Sequence, residues 1–220
     1  PAGKECRIRS VQVHGTGVQT AWAGQRVAVN VAGISSEDLS RGDVLCARGV
    51  YARTRCFECE LHLVENASEP VQHWQRVRLH IGTSDVVARI SLLESPLLQP
   101  GETAAAQVVA EEDIVCLVDQ RFVLRRYSPL ETIAGGRVLF PYAAKPRGKS
   151  ARQACIQRIR ALSSLSSPEE RLLALIRSFS RIELPDAALF IQETPAETLR
   201  LGERLQKNGD AVFLQGEKKL

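Results

Sequence analysis

The segment VHGTGVQTAWAGQRVAVNVAG places an imidazole, His14, and a guanidinium, Arg26, beside two valine-rich runs. Val11 and Val13 alternate along the first run, and Val27, Val29 and Val31 along the second. If the runs pair as strands, packing the valines together turns His14, Arg26 and Asn30 to the opposite side. Neither cation gives the other an anionic partner, so the pair suits a small anion. The alternative is two unrelated side chains in solvent.

Other residues invite chemistry with less support. Between Lys145 and Arg160 stand Lys145, Arg147, Lys149, Arg152, Arg158 and Arg160, with no acidic residue among them. Such a run either contacts phosphates or forms a solvated linker into a helix. Cys56 and Cys59 have the spacing of a metal or redox pair, but strand alternation sends them to opposite faces, and no second Cys/His pair completes a zinc set. The histidines at 14, 62, 73 and 80 have no ligand spacing. Gly135-Gly136 lies between strand-like runs without the following helix that a phosphate loop needs. No nucleophile elbow or acid/base dyad is present, so these residues are read as a binding module with no catalytic residue and no metal.

The elements that must position these groups divide the chain in three. Residues 1–49 carry the valine-rich runs and close at RGDVLCARG. Residues 50–141 read as short strands separated by turns such as ENASEP and QPGE, the spacing of an all-β barrel. RCFECELHLV alternates, with Phe57, Cys59, Leu61 and Leu63 on one face and Cys56, Glu58, Glu60 and His62 on the other; VRLHIG, VVARISLLE, AAAQVVAEE and DQRFVLRRYS are the later strands. From 142 to 220 the pattern is helical. Ser167-Pro168-Glu169-Glu170 is a capping box, Thr194-Pro195-Ala196-Glu197 repeats it, and Asn208-Gly209 is a stop. AVFLQ then reads as a strand entering a wing, which predicts an α/β winged-helix domain after two β-barrel units in a mainly β chain.

The chain has 220 residues, 44% of them apolar, and a net charge of +4. It lacks an apolar run near the roughly 18 residues of a membrane span and the layout of a signal peptide. Six cysteines scattered through apolar strands fit free thiols in a reducing cytoplasm. The absence of Met and a start inside an ongoing pattern suggest a piece of a longer protein, with the first barrel truncated.

VQVHGTGVQTAWAGQRVAVNVAG followed by DLSRGDVLCARG resembles the latter half of the second domain of translational GTPases related to elongation factor Tu. RCFECELHLV, LHIGTSDVVARISLLE, QPGETAAAQVVAEEDIVCLVDQRFVLR and SPLETIAGGRVL resemble the third, in the same order. Within that family, AGQR with arginine at 26, SPLETIAGGRVL ahead of Pro141, and an extension beginning PRGKS resemble the selenocysteine-specific elongation factors.

The resemblance implies binding of selenocysteyl-tRNA and its GTP-dependent delivery to the ribosome at recoded stop codons. GTP and Mg2+ would be held by a GTPase domain outside this fragment, and a messenger RNA hairpin by further winged helices. It places His14 and Arg26 in the aminoacyl pocket, where a guanidinium favours an ionised selenol over a hydroxyl or thiol. For the barrel it nominates Thr83, Arg89, Arg121, Arg125, Arg126, Ser128 and Thr132 as tRNA backbone contacts. Arg200, Arg204 and Lys207 share one helix stripe and could touch RNA backbone, against a solvated spacer face. The alternatives are a stand-alone nucleic-acid-binding protein of barrels and a winged helix, and a piece of a general elongation factor, in which Arg26 and the helical extension are out of place.

Overall fold

The computed structural model describes residues 3–47, 50–129 and 131–213, in two compact units, residues 1–43 and 44–220. In the first unit β1 (Arg7–Val13), β2 (Thr16–Val18) and β3 (Val27–Ala32) form an antiparallel sheet in the order β2-β1-β3. Val11 pairs with Val29 and Val13 with Val27, so the alternating valines do share a face. The connection is not a plain loop, because β2 folds back on β1 through His14 and Gly15, at φ of 51° and 80°. Two left-handed residues in succession make the tight turn whose twist matches a hairpin. His14 therefore lies in a turn and not in a strand. A 3-10 turn at Ser36–Asp38 follows, where Lys4 Nζ donates to Asp38 at 2.5 Å. That bond, with two from Ser35, holds the Asp38 carboxyl down at about 2.

The second unit is built on a closed barrel in the order β10-β11-β4-β9-β7-β6. Its strands are β4 (Thr54–Leu63), β6 (Arg76–Ile81), β7 (Ser84–Leu92), β9 (Thr103–Ile114), β10 (Arg121–Arg126) and β11 (Thr132–Phe140); β5 (Val71–Gln72) and β8 (Leu97–Leu98) make a separate two-stranded ribbon. Closure removes the unpaired edges that an open sheet of this length would expose. Phe57, Cys59, Leu61 and Leu63 point inward with Leu79, Ile90, Val108 and Leu124, as the alternation requires, and Phe57 meets Phe122 edge-on at 5.0 Å. In β11 a Cβ on Gly136 would stand 2.3 Å from the Glu60 carbonyl oxygen. The glycine pair allows two strands to close tightly and does not form a phosphate loop.

Four helices pack on one side of this barrel: α1 (Gly148–Ser163), α2 (Pro168–Phe179), α3 (Leu184–Ile191) and α4 (Pro195–Lys207). Ser167 and Glu170 close a reciprocal capping box, and Thr194 accepts from the Glu197 amide. The chain leaves α4 through Gly209 at φ 80°. The strand expected at 211–215 is not formed over Ala211–Phe213, and positions 214 and 215 lie outside the described residues. No described strand borders the helices at that point, and a strand without a neighbour leaves its backbone groups unpaired.

Strand alternation puts Glu58 on the outer face of β4, as read from sequence, yet it is fully buried, because α1 covers that face. Arg158 of α1 donates to it from two nitrogens at 2.7 and 2.5 Å. Gln107 donates to Glu58 at 3.3 Å and to the Ala144 carbonyl at 3.1 Å. The guanidinium lies 5.0 Å from the Phe140 ring and 4.9 Å from that of Phe179. Burial alone would lower the Arg158 pKa; the Glu58 hydrogen bonds and charge outweigh it and raise it. Around the pair Leu93, Ala105, Leu139 and Phe140 of the barrel exterior share a second core with Ile159, Leu162, Leu172 and Leu201 of the helices.

Candidate nucleic-acid interface

The wall of the barrel formed by β10, β6 and β7 carries arginines at its outward positions. With Val77, Leu79 and Ile81 buried in the barrel, alternation sends Arg76, Arg78 and His80 out. The same rule exposes Arg121, Val123 and Arg125 on β10 beside buried Phe122 and Leu124. In register, Arg125 stands between Arg78 and Thr132, Val123 between His80 and Gly135, and Arg76 opposite Arg89. Two arginine pairs directly opposite each other cost stability in an isolated sheet. Carboxylates offset part of it: Asp85 accepts from Arg78 at 3.0 Å, and Glu111 accepts twice from Arg76, at 2.9 and 2.7 Å. Glu111 also lies 3.8 Å from Arg89, and its carboxyl is held below the usual range, chiefly by the Arg76 hydrogen bonds.

The residues nominated from sequence spread over this wall. Arg89 and Arg125 lie on it, and Thr132 is opposite Arg125. Thr83 occupies the exposed β6–β7 turn, at the end of the wall where β10 begins with Arg121. Ser128 is exposed beyond the other end of β10. At about 3.3 Å per residue, β10 sets the two ends about 17 Å apart. Arg126 differs. It shares the inward parity of Phe122 and Leu124, its side chain is 13% exposed, and it meets Glu69 at 3.1 Å and Glu131 at 3.4 Å, which leaves it occupied with carboxylates. The sequence reading missed Arg76 and Arg78, although the run RVRLHI carries the signal in its alternation.

In the first unit His14 and Arg26 both fall just past the terminal Val13–Val27 pair, at the same end of the β1–β3 ladder. Both are exposed, and Arg26 makes no ion pair with the described residues. On α4, Arg200, Arg204 and Lys207 are exposed on one stripe; Arg200 is 3.2 Å from Glu197 and Arg204 3.4 Å from Glu169. Of the basic run before and within α1, Arg158 is consumed by Glu58 and Arg160 pairs with Glu94, while Lys145, Arg147, Lys149 and Arg152 stay exposed.

All six cysteines are free. Cys59 points into the barrel and Cys56 lies on its outer face, so the pair cannot close on one ion. Burial pushes the thiols of Cys56 and Cys116 up to about 12 and that of Cys155 to about 11. Among the described residues no group of three His, Cys, Asp or Glu could hold a metal, and no helix is long and apolar enough to cross a membrane.

Residues 59–145 match the family model of the selenocysteine-specific elongation factor β-barrel domain. They belong to the selenocysteine-specific elongation factor family. The match covers the barrel up to Lys145, where the exposed basic run starts. A selenocysteine-specific elongation factor from Desulfomicrobium baculatum is 33% identical over 206 residues, 94% of this chain and 32% of that protein. The Escherichia coli protein of that name is 33% identical over 140 residues, 62% of this chain and 20% of its own length. Elongation factor Tu 2 from Streptomyces avermitilis is 25% identical over 141 residues, 62% of this chain and 36% of its own. The chain thus spans about a third or less of the selenocysteine-specific relatives it matches.

Proposed function

We propose that this chain is the part of a selenocysteine-specific translation elongation factor that holds selenocysteyl-tRNA. The single observation that carries the reading is the 33% identity to a selenocysteine-specific elongation factor over 94% of the chain, barrel and helices together. In this reading the arginine wall of the barrel grips the tRNA backbone, with Thr83, Arg89, Arg121, Arg125, Ser128 and Thr132 and the added Arg76 and Arg78. Backbone contacts of this sort fix orientation and carry little base information. Arg126 supports the wall from behind through Glu69 and Glu131.

His14 and Arg26 receive the aminoacyl end. A selenol ionises more readily than a thiol, so at neutral pH a fixed guanidinium meets a negative selenium but a neutral serine hydroxyl. Isosteric differences in a neutral pocket discriminate by only about 1–3 kcal/mol, and a charge-assisted contact adds to that. The exposure of Arg26 and its freedom from carboxylates among the described residues fit the role. GTP and Mg2+ act in a domain outside these 220 residues, the ribosome receives the tRNA, and further winged helices hold the messenger hairpin, all in the cytoplasm. Arg200, Arg204 and Lys207 give α4 a weak RNA-facing stripe.

The test compares selenocysteyl-tRNA and seryl-tRNA binding to the whole factor before and after Arg26→Ala. The substitution is expected to erase most of the preference and to leave seryl-tRNA binding nearly unchanged. Equal losses for both would remove the assigned role.

A further inference from the structure

The arginine wall does not stop at the barrel. Arg76 lies 5.2 Å from the Tyr127 ring and holds Glu111, which Arg89 approaches at 3.8 Å. Arg89 donates to the Trp74 carbonyl at 3.3 Å and lies 6.0 Å from the indole, whose ring centre is 4.4 Å from Lys145 Nζ. These contacts run without a break from the end of β10 to the start of the linker into α1. Beyond Lys145 the linker adds Arg147, Lys149 and Arg152, all exposed and none paired with a carboxylate of the described residues. Their two basic neighbours further along α1 are neutralised, Arg158 by Glu58 and Arg160 by Glu94. The partition is spatial: the same basic run is structural where α1 meets the barrel and unpaired where it reaches solvent.

We propose that Trp74, Lys145, Arg147, Lys149 and Arg152 form a second phosphate-binding surface, which takes the sugar-phosphate backbone of the RNA stem lying on the barrel wall and extends its footprint onto the linker. The inference rests on the reading that the wall binds RNA. A chain of cations around an aromatic ring suits a polyanion with regularly spaced charges. The apolar residues among 145–154 are Pro146, Ala151 and Ala154, so the segment has no anchor for a lipid surface. Trp74, half buried with Lys145 above its ring, keeps the linker in line with the wall.

The test uses the 220-residue chain carrying Trp22→Phe, which leaves Trp74 as its single tryptophan reporter. A tRNA transcript is titrated at several KCl concentrations against this protein, against a quadruple variant with Lys145, Arg147, Lys149 and Arg152 all changed to Ala, and against an Arg78→Ala/Arg125→Ala variant. The quadruple variant is expected to bind at least tenfold more weakly in 0.1 M salt. With four fewer phosphates neutralised, the slope of log K against log salt becomes shallower by about 3. Its melting temperature stays within a degree of the parent, since the side chains removed are exposed, and Trp74 fluorescence changes on RNA addition in the parent. If the quadruple variant binds as the parent does while the Arg78/Arg125 variant loses affinity, the extension is wrong and the reading of the wall stands. If neither variant weakens binding, both fall. An acidic polypeptide that displaces the tRNA at equal charge concentration overturns the extension in favour of a protein partner.

Discussion

Two walls of one barrel treat charge in opposite ways. Where β4, β9 and β11 face α1, the outward positions hold Glu58, Gln107 and Ala105, and the two polar groups are satisfied within a second apolar core. Where β10, β6 and β7 face solvent, the outward positions hold five arginines against two carboxylates. Both walls obey the same inside-outside alternation, so strand pattern alone cannot tell them apart. The difference teaches that a carboxylate–guanidinium contact is a structural joint where helices remove water and an adjustable surface where they do not.

The comparison breaks most visibly at the joint. Glu58→Ala or Arg158→Ala strands the remaining charge out of water and is expected to cost about 3–5 kcal/mol in chemical denaturation. Replacing both at once, Glu58→Leu with Arg158→Met, should cost much less than the sum of the two single changes; additive losses would show that the pair does not act as a unit. Gly136→Ala drives a methyl group into the Glu60 carbonyl and is expected to destabilise the barrel by about 1–3 kcal/mol, read as a lower denaturation midpoint.

Alkaline pH sharpens the contrast between covered and open surfaces. Cys56 and Cys116 titrate at about 12 in the fold against 9.0 for an ordinary thiol, so unfolding releases protons once the pH passes 9. Their contribution is complete below pH 9 and declines as the pH climbs toward 12. A melting temperature that falls across that window, and falls less in Cys56→Ala, is the expected observation; no difference between variant and parent would remove the cysteines from the account. The smallest stability effect belongs to the open wall. Arg78→Ala breaks a solvent-exposed pair with Asp85 and is expected to change stability by less than about 1 kcal/mol, while weakening tRNA binding in a salt-dependent manner. A large stability loss there would mean that the wall is a joint as well.

Much of this fold is legible in the residues. Alternation in RCFECELHLV fixes which side of β4 enters the barrel, and the Ser167–Glu170 box fixes where α2 begins. The valines of β1 and β3 pair as their spacing requires. What escapes a reading of the residues are events that depend on distant neighbours. His14 looks like a strand residue until β2 folds back beside β1, and Glu58 looks solvent-facing until α1 arrives from 100 residues away. Arg76 and Arg78 stay hidden as long as their strand is read for its apolar face.

The sequence by itself determined the period-two and helical patterns, the caps, and the order of motifs that matches the selenocysteine-specific family, because each depends on residues within a few positions of one another. The tertiary structure alone decided which arginines became joints and which stayed open to phosphate. The fate of a charge depends on whether another element displaces its water, and that element is specified elsewhere in the chain.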